Sequence, residues 1–170
     1  MERDVALTAH EARVFGVLIE KACTTPDQYP LSVNAATNGA NQKVNRDPLV
    51  SLEEDEVLTA LEGLEKKYLV RRVFPEGSRV EKFRHIGKEG LGVDTPSLAV
   101  LAELLMRGPQ TVGELRARAN RMSSFASLDE IQPVLDHLLE QEMIRRLAPA
   151  PGSRAERYMQ LLSPDLHPVG

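Results

Sequence analysis

The sequence predicts a mainly helical α+β protein in which two winged helix-turn-helix units follow one another along the chain. Two observations lead to this fold: part of the sequence occurs twice, and each copy reads as three amphipathic helices followed by a β-hairpin. We therefore expect an internal duplication, with one winged-helix domain at 1–89 and a second at 94–163. Each should fold by itself, as a small domain of marginal stability.

The repeat is clearest in the predicted hairpins. The segment at 69–75 returns at 143–149, and the segment at 77–83 returns at 152–158 with one extra residue in the turn. Upstream of the hairpins, apolar residues recur at helical spacing: Val57, Leu61 and Leu64 in the first copy, and Ile131, Leu135 and Leu138 in the second. Ordered agreement over most of each half indicates that one unit was duplicated.

Capping signals divide the first copy into its elements. The predicted N-caps of its three helices are Thr8, Ser32 and Ser51, of which Thr8 and Ser51 should form capping boxes with Glu11 and Glu54. The second helix should extend to about residue 42 and the third to about residue 67. Strands are expected at 69–74 and 79–86, joined by a short turn.

The second copy follows the same order. Its predicted N-caps are Thr95, Thr111 and Ser127, and its strands should span 143–148 and 154–161. Between the copies lies 86–92, which contains three glycines, and we expect it to be the domain boundary and a hinge. The tail beyond Ser163 is expected to fray.

The composition is that of a globular protein. Hydrophobic residues make up 42% of the chain and charged residues 27%, so we expect a buried core and neither disorder nor a membrane span. The charged start at 1–4 has no apolar region like that of a signal peptide, which favours a cytoplasmic location. The single cysteine, Cys23, falls on the apolar side of the first helix and is expected to be a buried structural thiol.

Sequence patterns of the common catalytic sites are absent. The chain has no P-loop, no dinucleotide-binding glycine motif and no nucleophile elbow. Its four histidines are scattered and lack cysteine or histidine partners at zinc-ligand spacing. We therefore expect a binding protein that is not an enzyme and that uses no metal or cofactor.

Duplex DNA is the favoured partner, because helix-turn-helix proteins commonly bind it and because polar and basic residues gather in the loop after the second helix, on both hairpins and on one helix. The candidate contacts are Asn41, Gln42, Lys43, Asn45 and Arg46 in the loop; Arg71, Arg72, Arg79, Lys82 and Arg84 on the first hairpin; Arg145, Arg146, Arg154 and Arg157 on the second; and Arg116, Arg118 and Arg121 on the second helix of copy two. Each cluster also has a structural explanation. Arginines on a small hairpin often pair with local acids, for which Glu81 and Glu156 are available here, and a polar loop can simply cap helix ends.

Charge argues against ordinary reading of the major groove. The net charge is −4, and the start of each third helix, where a recognition helix approaches the bases, is acidic, with Glu53, Glu54, Asp55 and Glu56 in copy one and Asp129 and Glu130 in copy two. DNA contact should therefore fall to the hairpins and the loop. The alternative is a protein-interaction or assembly module without DNA binding, since one scaffold can serve unrelated functions. The chain should act as a monomer or a homodimer.

Two longer segments carry a resemblance to a known family. The segment TTPDQYPLSVN at 24–34, followed by NQKVNRDP at 41–48, resembles the signature of the YceH-like family of uncharacterised bacterial proteins. Further matching residues are Arg107-Gly108, Gln110-Thr111, the segment at 113–116, Arg121-Met122 and the segment at 157–159. The resemblance covers nearly the whole chain. It implies a tandem winged-helix fold and a bacterial cytosol, and it carries over no activity, catalytic residue or ligand.

Overall fold

The computed structural model describes residues 5–167 of the chain. The helices are α1 (Ala9–Thr24), α2 (Val33–Ala40), α3 (Glu54–Lys66), α4 (Gly87–Leu91), α5 (Thr95–Arg107), α6 (Val112–Ala119) and α7 (Leu128–Glu140). The strands are β1 (Val70–Val73), β2 (Lys82–His85), β3 (Gln110–Thr111), β4 (Ile144–Leu147) and β5 (Arg157–Gln160), and single 3-10 turns lie at Pro26–Gln28 and Pro164–Leu166. The predicted α+β class is confirmed.

The helix starts of the first half follow the capping signals, with one shift. Thr8 and Glu11 form the predicted capping box of α1, because each side chain accepts a hydrogen bond from the backbone N–H of the other. The Ser32 hydroxyl caps α2 by accepting from the Ala35 N–H at 3.1 Å. The third helix begins later than predicted: Glu53 replaces Ser51 as its N-cap and forms the capping box with Glu56.

In the second half, too, some helices begin at the predicted N-cap and others do not. Thr111 caps α6 and forms a capping box with Glu114. The N-cap of α5 is Asp94, whose carboxylate accepts from the Ser97 N–H at 3.0 Å, so the predicted cap at Thr95 is wrong by one residue. Ser127 stands at the N-cap of α7 without a capping hydrogen bond from its side chain.

Each hairpin belongs to a small antiparallel sheet with a third participant that the sequence did not reveal. Strands β1 and β2 pair with each other, and Leu31 adds a single-residue bridge to Phe83 of β2. In the second half, β3 pairs with β5 in the order β3-β5-β4. In both halves the chain just before the second helix therefore pairs with the last strand of the hairpin. Both hairpins are also a few residues shorter than predicted.

The halves share unusual backbone conformations as well. Tyr68 and Glu142, each just beyond the third helix of its half, have φ angles of 61° and 57°. The left-handed region disfavours residues with side chains, so its use at both positions means that the two helices end in the same way. Gly77 and Gly152 in the hairpin turns also match, with φ angles of 79° and 82°.

The two halves are joined by one hydrophobic core. The predicted apolar stripes, Val57, Leu61 and Leu64 with Ile131, Leu135 and Leu138, are fully buried. The contact between the halves is formed mainly by α1 of the first half and α5 of the second. Each of these helices has ten consecutive buried residues, Glu11 to Glu20 and Ser97 to Met106. A helix that is buried all round lies inside a protein and not on its surface. The division at 89 and 94 stays a prediction, but the two units do not have separate cores.

The close approach of α1 and α5 depends on a glycine. A Cβ atom at Gly16 would lie 2.7 Å from Cγ of Met106 and 3.5 Å from the carbonyl oxygen of Ala102. The absence of a side chain at this position lets the two helices touch. Backbone contacts join the halves too, since the Asp47 N–H donates to the Met106 carbonyl at 2.8 Å.

The glycine-rich segment at 86–92 is not a flexible hinge. It forms α4, whose Gly87 and Leu91 are buried, and a Cβ atom at Gly90 would lie 2.4 Å from the Tyr68 carbonyl oxygen. The glycines therefore serve close packing, and the predicted hinge is wrong.

The expected fraying beyond Ser163 is also wrong as far as His167, which is buried with its Nε2 atom 2.8 Å from the Asp47 carbonyl oxygen. Residues 168–170, like the charged start at 1–4, lie outside the described residues.

Candidate nucleic-acid interface

The polar loop between α2 and α3 is mostly occupied by contacts within the protein. Asn41 closes the loop at both ends, because its amide donates to the Leu52 carbonyl and accepts from the Leu52 N–H. Gln42 donates to the Val44 carbonyl and accepts from Lys21. Asn45 accepts from Arg107 of α5 at 2.6 Å. These side chains hold the loop in place and tie it to the second half.

Arg46 is placed in the interior, so its expected position at a DNA-binding surface is wrong. Its side chain is 0% exposed, and it donates to both carboxylate oxygens of Glu20, at 3.1 and 2.7 Å, and to the Gly39 carbonyl. A guanidinium buried in this way cannot reach a phosphate without leaving the core. Lys43 is the one candidate of this loop that is exposed and without a hydrogen bond or ion pair among the described residues.

Glu20 is the centre of an ion network that crosses between the halves. Arg121, which follows α6, pairs with Glu20 at 2.8 Å and with Glu103 of α5 at 2.6 Å. Burial opposes ionisation of Glu20, but hydrogen bonds from Arg46 and Arg121 prevail and lower its pKa to about 2. Arg121 therefore links α1 and α5 through their carboxylates. Its expected role in DNA contact is no longer supported. Glu20 and Glu103 were not among the residues that the sequence singled out.

A third arginine lies beside this network. Arg13 of α1 is 1% exposed and donates to the carbonyl oxygens of Ala40 and Pro48, at the two ends of the polar loop. Burial, together with the positive charge of Arg46, lowers the pKa of Arg13 to about 10, so it remains protonated at neutral pH. The family-like segment at 41–48 is thus held by buried arginines and by backbone contacts.

The first hairpin presents three cations on its outer face. Arg71 of β1 stands directly opposite Arg84 of β2, and the next pair on the same face is Val73 with Lys82. Arg71, Lys82 and Arg84 make no ion pair among the residues from 5 to 167. Like charges directly opposite each other in a sheet are destabilising, so anions that screen or contact this face would stabilise it.

The arginine on the other face of the hairpin, Arg72, makes its contacts within the protein. Arg72 lies over the Phe83 ring, with its guanidinium carbon 5.0 Å from the ring centroid, and it pairs with Glu65 and Glu81 at 2.8 Å each. The hydrogen bond to Glu65, together with the negative charges of Glu65 and Glu81, raises the pKa of Arg72. The charge of Arg72 is therefore balanced by these two carboxylates, which makes Arg72 a poor candidate for phosphate contact. Arg79, near the tip, is exposed and unpaired among the described residues.

His85 at the end of β2 adds no charge to this surface near neutral pH. Burial lowers its pKa to about 4, and the positive charge of Arg84 acts in the same direction. Its backbone N–H donates to the Tyr29 hydroxyl at 2.6 Å, and burial raises the pKa of Tyr29 to about 12. Both rings are thus neutral packing elements beside the cationic face.

The candidate DNA-contact residues of the second half also fall into two groups within the described range, exposed arginines without a partner and arginines with partners within the protein. Arg145, Arg146 and Arg154 are exposed, with no ion pair in the described part of the chain. The remaining arginines have partners within the protein: Arg157 donates to the Ala148 carbonyl, Arg116 to the carbonyls of Phe125 and Ala126, and Arg118 to Gln110, with Glu114 3.4 Å away.

Two other kinds of feature, a metal-binding cluster and a membrane-spanning helix, are not found among the described residues. Between residues 5 and 167 no group of three or more histidine, cysteine, aspartate or glutamate side chains is placed to hold a metal ion. Within the same range no helix is long and apolar enough to cross a membrane. Cys23 is only partly buried, not fully as expected, and burial raises its pKa.

Comparison with known proteins gives the family. The family model described as "Protein of unknown function, DUF480" matches residues 7–160. The chain is 52% identical over 162 residues to a UPF0502 protein of Geotalea daltonii, covering 94% of this chain and 74% of the relative. It is 47% identical to UPF0502 proteins of Hahella chejuensis, covering 99% and 79% of the two chains, and of Klebsiella pneumoniae, covering 94% and 77%. The resemblance to an uncharacterised bacterial family is therefore confirmed, and this protein belongs to the DUF480 family.

Proposed function

We propose that this protein is a tandem winged-helix protein of the bacterial cytoplasm that binds the backbone of duplex DNA through its two hairpins and is not an enzyme. The observation that carries the proposal is the outer face of the first hairpin, where Arg71, Arg84 and Lys82 lie together without acidic partners. On the second hairpin Arg145, Arg146 and Arg154 are exposed, although Arg145 and Arg146 are successive residues of β4 and lie on opposite faces of the strand.

Phosphate is the ligand class that suits this arrangement. The repulsion between Arg71 and Arg84 costs free energy in the unbound protein. A phosphate between them would remove that cost, and contact would also release counterions from the DNA. Because such contacts reach only the sugar-phosphate backbone, they give affinity with little sequence preference.

The winged-helix assignment rests on topology. Each half contains three helices and a hairpin, and the segment before the second helix pairs with the last strand. In such a unit the third helix is the usual reader of bases, but α3 begins with exposed Glu53, Glu54 and Asp55. We therefore place the contact on the hairpins and leave α3 away from the phosphates.

The test is a salt titration of binding to random-sequence duplex DNA, followed by fluorescence anisotropy. Phosphate contact predicts a linear fall of log affinity with log salt concentration. Replacing Arg71 and Arg84 by glutamine should weaken binding to unrelated sequences alike and flatten the slope by about one unit per lost contact. Arg71 is exposed and Arg84 is partly buried, and neither makes an ion pair among the described residues, so the fold should be retained, with a change in stability within about 1 kcal/mol.

A matched control removes the same charge elsewhere. Lys66 on α3 and Lys88 on α4 are exposed and unpaired within the described range, and neither lies on a hairpin. The pair Lys66→Gln, Lys88→Gln should leave the salt slope unchanged. A slope near zero for the unmodified protein, or equal losses in the two double variants, would refute hairpin binding to DNA.

A protein-interaction module is the second candidate, and one observation favours it. An apolar groove with acidic side chains at its edge lies between α2, α3 and the tip of the first hairpin. It is on the side of α3 that DNA phosphates would avoid.

A further inference from the structure

The groove between α2, α3 and the first hairpin has an apolar lining. Val33 of α2, Leu58 of α3 and Val80 of the hairpin line a space of about 480 Å³. Val33 and Leu58 are only partly buried, and Val80 is 54% exposed. A valine this exposed near a hairpin tip contributes little to the core, so its apolar surface is available to a ligand.

The edge of the groove is negatively charged. Glu54 lies on its α3 side, where its carboxylate accepts from the Asn34 amide at 3.0 Å, and Glu53 and Asp55 are its exposed neighbours. None of these three carboxylates has an ion pair among the described residues. Glu81 on the opposite side is already paired with Arg72. The unpaired negative charge therefore lies on the α3 side, while the hairpin side next to Val80 carries the cation Arg79, which is unpaired within the described range.

We propose that this groove binds a basic amphipathic segment of a partner protein, independently of the hairpin face proposed to bind DNA. Apolar side chains of the segment lie on Val33, Leu58 and Val80, and its lysine or arginine side chains pair with Glu54 and Asp55. Amphipathic helices bind apolar grooves in this way, with anchors spaced three or four residues apart. The volume suits a few such anchors, since ligand pockets commonly measure about 300–1,000 Å³.

The probe for the test is a short fluorescein-labelled peptide of leucine and lysine with its leucines at helical spacing. A peptide of the same composition with scattered leucines measures attraction by charge alone. The whole chain should bind the amphipathic peptide more tightly than the scattered one. Methyl NMR signals of Val33, Leu58 and Val80 should shift on binding.

Two variants separate the apolar and the charged contributions. Glu54→Gln with Asp55→Asn should weaken binding of the amphipathic peptide roughly three- to tenfold, as expected for two exposed ion pairs. Val80→Ser should weaken it to a similar degree, about tenfold at most, by removing one apolar contact. The control pair, Asp129→Asn with Glu140→Gln, removes two exposed acids of α7 and should have no effect.

Several outcomes overturn the proposal. They are failure of the amphipathic peptide to bind, equal affinity for the two peptides, an equal loss in the control pair, and methyl shifts confined to other regions. The same variants decide whether the two surfaces are separate. Val80→Ser should retain the salt-dependent DNA binding, and the Arg71 and Arg84 variants should retain peptide binding. Displacement of the peptide by duplex DNA would contradict the claim of independence.

Discussion

The ion network around Glu20 can be tested by replacing Glu20 with glutamine, which keeps the shape of the side chain and removes its charge. In the folded protein the Glu20 side chain is 3% exposed, the Arg46 side chain is 0% exposed, and their closest atoms are 2.7 Å apart. The variant leaves Arg46 buried without a counter-charge. Breaking a buried ion pair by removing one partner costs about 3–5 kcal/mol. The pKa of Glu20 gives a similar figure, since a fall from 4.5 to about 2 corresponds to about 3 kcal/mol.

Thermal unfolding is the appropriate measurement. At neutral pH the melting temperature of Glu20→Gln should fall by about 6–20 °C, because each kcal/mol corresponds to about 2–4 °C in a protein of this size. The folded-state pKa of Glu20 lies below its ordinary value, so its contribution is complete above about pH 4.5 and is lost as the pH falls toward about 2. The difference between the two proteins should therefore narrow over that range.

Glu62→Gln is the control for this experiment. The Glu62 carboxylate is half exposed and lies 3.7 Å from Arg72, so its loss should cost at most about 1 kcal/mol. If Glu20→Gln were no more destabilising than Glu62→Gln at neutral pH, the buried network would make no net contribution to stability, and our account of the loop at 41–48 would fail.

Three further predictions concern the core. Leu61→Ala should reduce the free energy of unfolding in urea by about 2–5 kcal/mol, because Leu61 is fully buried, and a change within error would place this face of α3 outside the core. Gly90→Ala should destabilise by about 1–3 kcal/mol, since its Cβ atom would meet the Tyr68 carbonyl at 2.4 Å; an unchanged melting temperature would contradict the close packing of α4. Fragments cut near Gly90 should each melt below the intact chain and associate when mixed, because the cut exposes the contacting faces of α1 and α5; stable fragments that ignore each other would restore two independent domains.

Local signals in the sequence predicted the helices well. The threonine and serine caps at Thr8, Ser32 and Thr111 act within a few residues, and the periodic leucines of α3 and α7 mark their buried faces. The single bridge at Leu31 and the two residues of β3 are too short to have a periodic pattern. The helix α4 was missed because its glycines are typical of a linker, and only the packed structure reveals that they permit close contact.

The candidate site was harder to predict than the fold. Whether an arginine faces solvent or a carboxylate depends on residues far away in sequence, as for Arg121 and Glu20, which are 101 positions apart. One signal was available: Glu103 is the only charged residue in the buried stretch from Ser97 to Met106. A charge within such an apolar helix requires a partner, and an arginine elsewhere in the chain was the obvious choice.

The contact between the segments at Leu7 and Leu162 allows the halves to be joined in the reverse order. The Leu7 N–H donates to the Leu162 carbonyl at 2.8 Å, so the segment entering α1 runs beside the segment that follows β5. A short linker from the segment after Leu162 to the segment before Leu7 could therefore join the two, and a new opening at the exposed Gly92 would place α5 first in the chain. Such circular permutants are tolerated where ends are close and the opening is exposed. The core between α1 and α5 would be the same, with the halves encoded in reverse order.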